Sequence, residues 1–130
     1  MRKLLLILFF MLFAFPAYAL ELLMAHNPAC SICQKFMEEV AVEYNESKQA
    51  KILPLIVINV NDIPDWFKEA YNQNRIKRIK GTPTFIVWNG RKELSRLTGY
   101  LDKEDFYKRI NIYLAEWGME NSWLKENYEN

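Results

Sequence analysis

Ala29-Cys30-Ser31-Ile32-Cys33-Gln34 contains the only two cysteines of a 130-residue chain. The spacing puts both sulfurs on one turn at the start of a helix, close enough to bond to each other. Isolated structural cysteines have no reason to come as such a pair, whereas a dithiol that cycles between reduced and disulfide forms does. From Cys33 onward, apolar side chains recur at Phe36, Met37, Val40, Ala41 and Tyr44, the period of an amphipathic helix. Gln34, Lys35, Glu38, Glu39 and Glu43 take the wet side. Cys33 therefore falls on the buried stripe. Cys30 lies at the helix start, where unpaired backbone N–H groups and the positive end of the helix dipole converge. That setting lowers a thiol pKa. The expectation is a nucleophilic Cys30 and a resolving Cys33 that attacks the mixed disulfide from inside.

Working outward, residues 20–25 (LELLMA) predict a strand, and His26-Asn27-Pro28-Ala29 a turn into the dithiol helix. Residues 52–60 (ILPLIVINV) form a continuous apolar run, which predicts a parallel strand covered on both faces, with Pro54 near its start or at an edge. Asp62-Ile63-Pro64-Asp65 predicts a helix start with Asp62 as cap. That helix is expected to run to about Asn74 and to pack through Trp66, Phe67, Ala70 and Tyr71. Residues 84–88 (TFIVW) predict a strand, Asn89-Gly90 a hairpin turn, and residues 93–98 the return strand, which Gly99 breaks. Asp102 then caps a last helix with Asp105 in the capping-box position. Its stripe is Phe106, Ile110, Tyr113, Leu114 and Trp117, with Gly118 as the residue just past its end. The fold class is α/β: a βαβ unit followed by a helix, a hairpin and a closing helix. One domain over residues 20–118 is expected, followed by a tail over 119–130 with one further turn around Trp123 and Leu124.

The N-terminus predicts export. Arg2 and Lys3 precede an apolar run, LLLILFFMLFAF over 4–15, and Ala17-Tyr18-Ala19 has the small-x-small pattern of a signal-peptidase site. Residues 1–19 are read as a signal peptide cleaved after Ala19. The other reading, an uncleaved anchor, needs about 20 apolar residues. Export places the dithiol in an oxidising compartment. Loss of Arg2 and Lys3 would take the balance of 17 basic and 16 acidic side chains to one net negative charge. No basic surface for nucleic acid is expected.

A second motif is Gly81-Thr82-Pro83-Thr84-Phe85. Proline at the mouth of a central strand removes a ladder donor. A cis Thr82–Pro83 bond makes sense of it, turning the Thr82 backbone outward to pair with an extended substrate segment. Two other readings of the cysteines stay open here. One is an inert disulfide, although a bridge closing so short a loop constrains the unfolded chain little. The other is a Cu(I) or Zn(II) site on His26, Cys30 and Cys33. Covalent haem is disfavoured because Gln34, not His, follows Cys33.

Cys30-Ser31-Ile32-Cys33, Gly81-Thr82-Pro83-Thr84-Phe85 and Leu97-Thr98-Gly99-Tyr100 together resemble the thioredoxin superfamily, over residues 20 to about 117. Within it the chain looks most like the small exported thioredoxins of bacterial sulfur-oxidation systems. The resemblance implies a minimal thioredoxin fold, a four-stranded mixed sheet flanked by three helices, with Cys30 and Cys33 catalytic and Thr82 and Pro83 binding substrate. It implies a periplasmic monomer that exchanges thiols with protein disulfides or dithiols, as a reductase recharged by a membrane-embedded thiol donor. The dithiol is itself the redox group, so no cofactor or metal is expected. The alternative is a metallochaperone using His26, Cys30 and Cys33. Two features depart from the family. Ala29 and Ser31-Ile32 replace the family's Trp and Gly-Pro, and Met24 stands where thioredoxins keep a buried acid. His26 is read either as tuning Cys30 from the loop or as a solvated residue. Arg75, Lys77, Arg78 and Lys80 are read either as a docking patch for an acidic partner or as a solvated loop.

Overall fold

The computed structural model describes residues 19–120. The proposed signal peptide, apart from Ala19, and the turn expected around Trp123 and Leu124 lie outside them. Strand β1 (Glu21–His26) runs up the middle of the sheet. Helix α1 follows as an α-helical segment, Ser31–Phe36, a π-helical segment, Met37–Ala41, and a last turn, Val42–Tyr44. Then come α2 (Lys48–Ile52), β2 (Leu55–Asn59), α3 (Asp65–Asn72), β3 (Thr84–Trp88), β4 (Glu93–Thr98) and α4 (Lys103–Glu120). The sheet order is β2-β1-β3-β4. β1 is parallel to β2, with Leu23 opposite Ile56, and antiparallel to β3, with Leu23 opposite Ile86. β3 and β4 form the hairpin. This is a four-stranded mixed α/β sheet, with four helices among the described residues.

Side chains of a strand alternate between the faces, and here both faces are apolar. Leu22, Met24, Phe85 and Val87 point into a core with Cys33, Phe36, Val40 and Tyr44 of α1 and Phe106, Ile110 and Leu114 of α4. Leu23, Ile86 and Trp88 point the other way, into a smaller core with Phe67 and Ala70 of α3, Ile58 and Ile76. The sheet is thus a layer between helices, which is why β1 and β3 read as unbroken apolar runs.

Several boundaries differ from expectation. Residues 52–60 are not one doubly covered strand. Residues 48–52 form a fourth helix, α2, capped by Ser47, whose Oγ accepts from Ala50 N at 3.2 Å. Pro54 separates it from β2, which is an edge strand with Val57 39 % exposed. An apolar run carries no period that distinguishes a helical turn from a strand. Helix α3 begins at Asp65, with Pro64 in the cap position and no side-chain cap. Asp62 belongs to the preceding turn, donating its N–H to Asn59 O at 3.0 Å, and proline pushes the residue before it out of the helical region. Only Phe67 and Ala70 of α3 are buried, whereas Trp66 and Tyr71 are exposed. In α4 the Asp102 cap holds, accepting from Asp105 N at 2.8 Å. The Asp105 carboxylate pairs with Arg109 instead of closing the box. Gly118 lies inside α4, which continues to Glu120.

Candidate active site

The dithiol sits where β1 ends and α1 begins. Asn27 shapes the turn: its Oδ1 accepts from Ala29 N at 3.0 Å and its carbonyl from Cys30 N at 2.9 Å. Cys30 is the N-cap of α1, with extended backbone, and its Sγ accepts from Cys33 N at 3.2 Å. A sulfur therefore stands where Ser or Asp normally caps a helix, meeting an N–H that has no partner within the helix. A hydrogen bond with the Cys33 side chain is the main cause holding the Cys30 thiol below its ordinary pKa; partial burial opposes it, and hydrogen bonds with the Thr82 side chain and with the Cys33 and Ile32 N–H groups support it. Cys33 is fully buried, and burial pushes its thiol up, with the hydrogen bond to Cys30 acting in the same direction. Both cysteines are reduced. One turn of helix thus separates a half-exposed thiol that ionises readily from a buried one that does not.

Thr82-Pro83 faces the dithiol from the start of β3. The Thr82–Pro83 peptide is cis, and the protonated Cys30 Sγ donates to Thr82 O at 3.5 Å, a long contact suited to sulfur. Pro83 O accepts from Gly99 N at 2.9 Å, tying the motif to the end of β4. At Gly99 φ is +78°, a conformation that side chains rarely adopt. Met24 is fully buried in the same core as Cys33.

His26 is not in the loop. It is the last residue of β1, opposite Asn59, and its Nδ1 is buried without a hydrogen-bond partner among the described residues. It does not join the cysteines in a metal site: no three His, Cys, Asp or Glu among the described residues come close enough to hold an ion. The basic cluster divides. Arg75 bonds to Gln73 and Arg91 O and lies 5.8 Å from the Trp88 ring. The backbone at Lys77 and Arg78 is held by the Glu93–Arg96 pair: Arg96 donates to both carbonyls at 3.0 Å, and Glu93 accepts from Lys77 N at 2.9 Å. Lys80 alone of the four lines a groove beside the dithiol, of about 490 Å³, shared with Asn27, Ile63, Phe67, Lys68, Tyr71 and Thr82. Sequence reading missed Asn27 and Lys68. The Asn-Pro pair is a turn signal that pointed to Asn27, but nothing local marks Lys68, which reaches the groove only because α3 packs on the sheet.

A family model described as a thioredoxin-like domain matches residues 20–113. No curated protein sequence matches the chain as a relative. Among solved structures, the reduced periplasmic thioredoxin SoxS from Paracoccus pantotrophus is 26 % identical, with a TM-score of 0.59, covering 71 % of this chain and 92 % of its own. A poplar thioredoxin h is 21 % identical with a TM-score of 0.51, covering 75 % of this chain and 78 % of its own. A Thermus thermophilus thioredoxin is 21 % identical with a TM-score of 0.53, covering 73 % of each chain.

Proposed function

This chain belongs to the thioredoxin-like family and carries the C-x-x-C dithiol of a thiol–disulfide oxidoreductase, and from that premise we propose that it reduces protein disulfides in the periplasm. The observation that carries the reading is the asymmetry of the two thiols, Cys30 capping the helix and Cys33 buried one turn below. The Cys30 thiolate attacks one sulfur of the substrate disulfide; the new S–S bond forms as the old one breaks, and the leaving thiolate takes a proton. Cys33 then loses its proton and attacks Cys30 Sγ. This forms the Cys30–Cys33 disulfide and releases the second substrate thiol. Two electrons and two protons pass to the substrate. Thr82 and Pro83 position the substrate backbone beside Cys30. No carboxylate stands in the Met24 position, so the substrate's departing thiolate is the base at hand for Cys33.

One observation favours the reductase direction in this proposal. Strong disulfide oxidants owe their potential to a stabilised thiolate, whereas no cationic side chain contributes to lowering the Cys30 thiol. Export is supported by the N-terminal signal pattern and by the likeness to a periplasmic thioredoxin. A membrane dithiol carrier is the proposed donor that restores the reduced state. Equilibrating the mature protein with a thiol buffer and trapping free thiols tests the direction. A reduction potential near about −270 mV supports a reductase, and one near about −120 mV makes it an oxidant instead.

A further inference from the structure

We propose that the groove beside Cys30 selects substrates whose cysteine lies near an apolar side chain flanked by acidic ones, so that the favoured partners are extended acidic protein segments. The inference rests on the redox reading above and names the substrate class of that same site.

The groove adjoins the nucleophile through two shared residues. Asn27 and Thr82 line it, and both contact Cys30, at 2.9 Å through its N–H and 3.5 Å through its Sγ. Its floor is apolar, made by Ile63, Phe67, Tyr71 and Ile79. Ile63 and Tyr71 are 41 % and 39 % exposed, more apolar surface than the fold itself requires there. A volume of about 490 Å³ is in the range of sites that enclose several groups of a ligand. Lys68 and Lys80 are the charged side chains of the lining, and no carboxylate is among them.

Several cations elsewhere in the fold are engaged. Lys35 donates to Leu101 O and pairs with Glu39; Arg96 is held by Glu93, and Lys103 by Glu43. Lys68 and Lys80 make no ion pair among the described residues. Two unneutralised ammonium groups over an apolar floor complement an amphipathic anionic segment and repel a cationic one. The surface charge of the 75–80 stretch would not by itself say this, since Arg75 is engaged elsewhere.

The test uses two otherwise identical ten-residue peptides, with Ser replacing the cysteine and with either glutamates or lysines flanking an apolar residue, titrated by fluorescence anisotropy into the mature protein. The glutamate peptide should bind at least about fivefold more tightly at low salt, the size expected of two exposed ion pairs. The ratio should fall towards one at about 1 M salt. The double variant Lys68→Glu, Lys80→Glu should reverse the preference. Equal affinities, no binding of either peptide, or a preference unchanged in the double variant would each overturn the proposal. Displacement of the peptide by an equal concentration of glutathione disulfide would also overturn it, giving the groove to a small acidic thiol compound. Reduction of the neutral hydroxyethyl disulfide by the wild-type protein is measured in parallel. Failure there counts against the redox reading and leaves the binding result to decide the groove.

Discussion

The two faces of the sheet are built differently. On one, α1 and the 18-residue α4 enclose an aromatic cluster: the Phe36 ring lies 4.7 Å from Phe85, 5.0 Å from Phe106 and 5.3 Å from Tyr100. On the other, the eight-residue α3 covers the sheet with Phe67 and Ala70, leaving Trp66 and Tyr71 exposed and the groove open. Cys33 belongs to the first core, whereas the groove beside Cys30 belongs to the second face. Tight packing holds the resolving sulfur in place and dry, and thin packing leaves surface for recognition. The difference teaches that the dithiol sits at a seam between a rigid layer and a receptive one.

The sharpest way to break this contrast is to empty each core. Phe36→Ala should lower unfolding stability by about 3–5 kcal/mol, measured by urea denaturation. Phe67→Ala should fall at or below the lower end of that range, because a short helix can settle into the space. Equal losses would mean that the faces are equally packed. A smaller effect is expected at the clamp on the 75–80 stretch. Burial works to raise the Glu93 carboxyl, but its hydrogen bonds from Arg96 and Lys77 outweigh that and hold it below its usual pKa. A depressed carboxylate stabilises the fold above its unfolded pKa, and that contribution is lost as pH falls through the folded value. Glu93→Gln should therefore lose about 1–2 kcal/mol at pH 7, with the difference from wild type beginning to shrink below about pH 4 and vanishing only below the depressed folded pKa. If the gap persists in acid, the carboxylate charge is not its source.

The smallest perturbation exchanges one sulfur at a time and compares the two thiols. In a Cys33→Ser variant, the alkylation rate of Cys30 should reach half its plateau at a lower pH than that of Cys33 in a Cys30→Ser variant. Midpoints in the reverse order would mean that Cys33, not Cys30, makes the first attack.

Much of this was legible in the chain. Strands β3 and β4 were read to the residue, because Asn89-Gly90 and Gly99 mark their limits with turn chemistry. Gly90 and Gly99 both take positive φ, and Asn89 Oδ1 accepts from the N–H groups of Arg91 and Lys92. The different placement of Cys30 and Cys33, one capping the helix and one buried, was legible because helical period and helix start are local properties. α2 was not legible, since an apolar run beside a proline reads equally as strand. Nor was the exposure of Trp66 and Tyr71, which a helical period places on the packed side but a short helix on a flat sheet cannot bury.

By itself the sequence determined the order of the four strands and of three of the four helices described, the dithiol and its asymmetry, and the proline motif that meets it, because these depend on spacing, turn residues and caps within a few positions. Only the tertiary structure decided that β2 is an edge, that His26 ends a strand and joins no metal-holding cluster among the described residues, and that Lys80 joins Lys68 at the groove while Arg75 is engaged elsewhere. Those outcomes depend on which surfaces face each other once the sheet is covered. No local pattern of charge or hydrophobicity encodes the distance between residues brought together by packing.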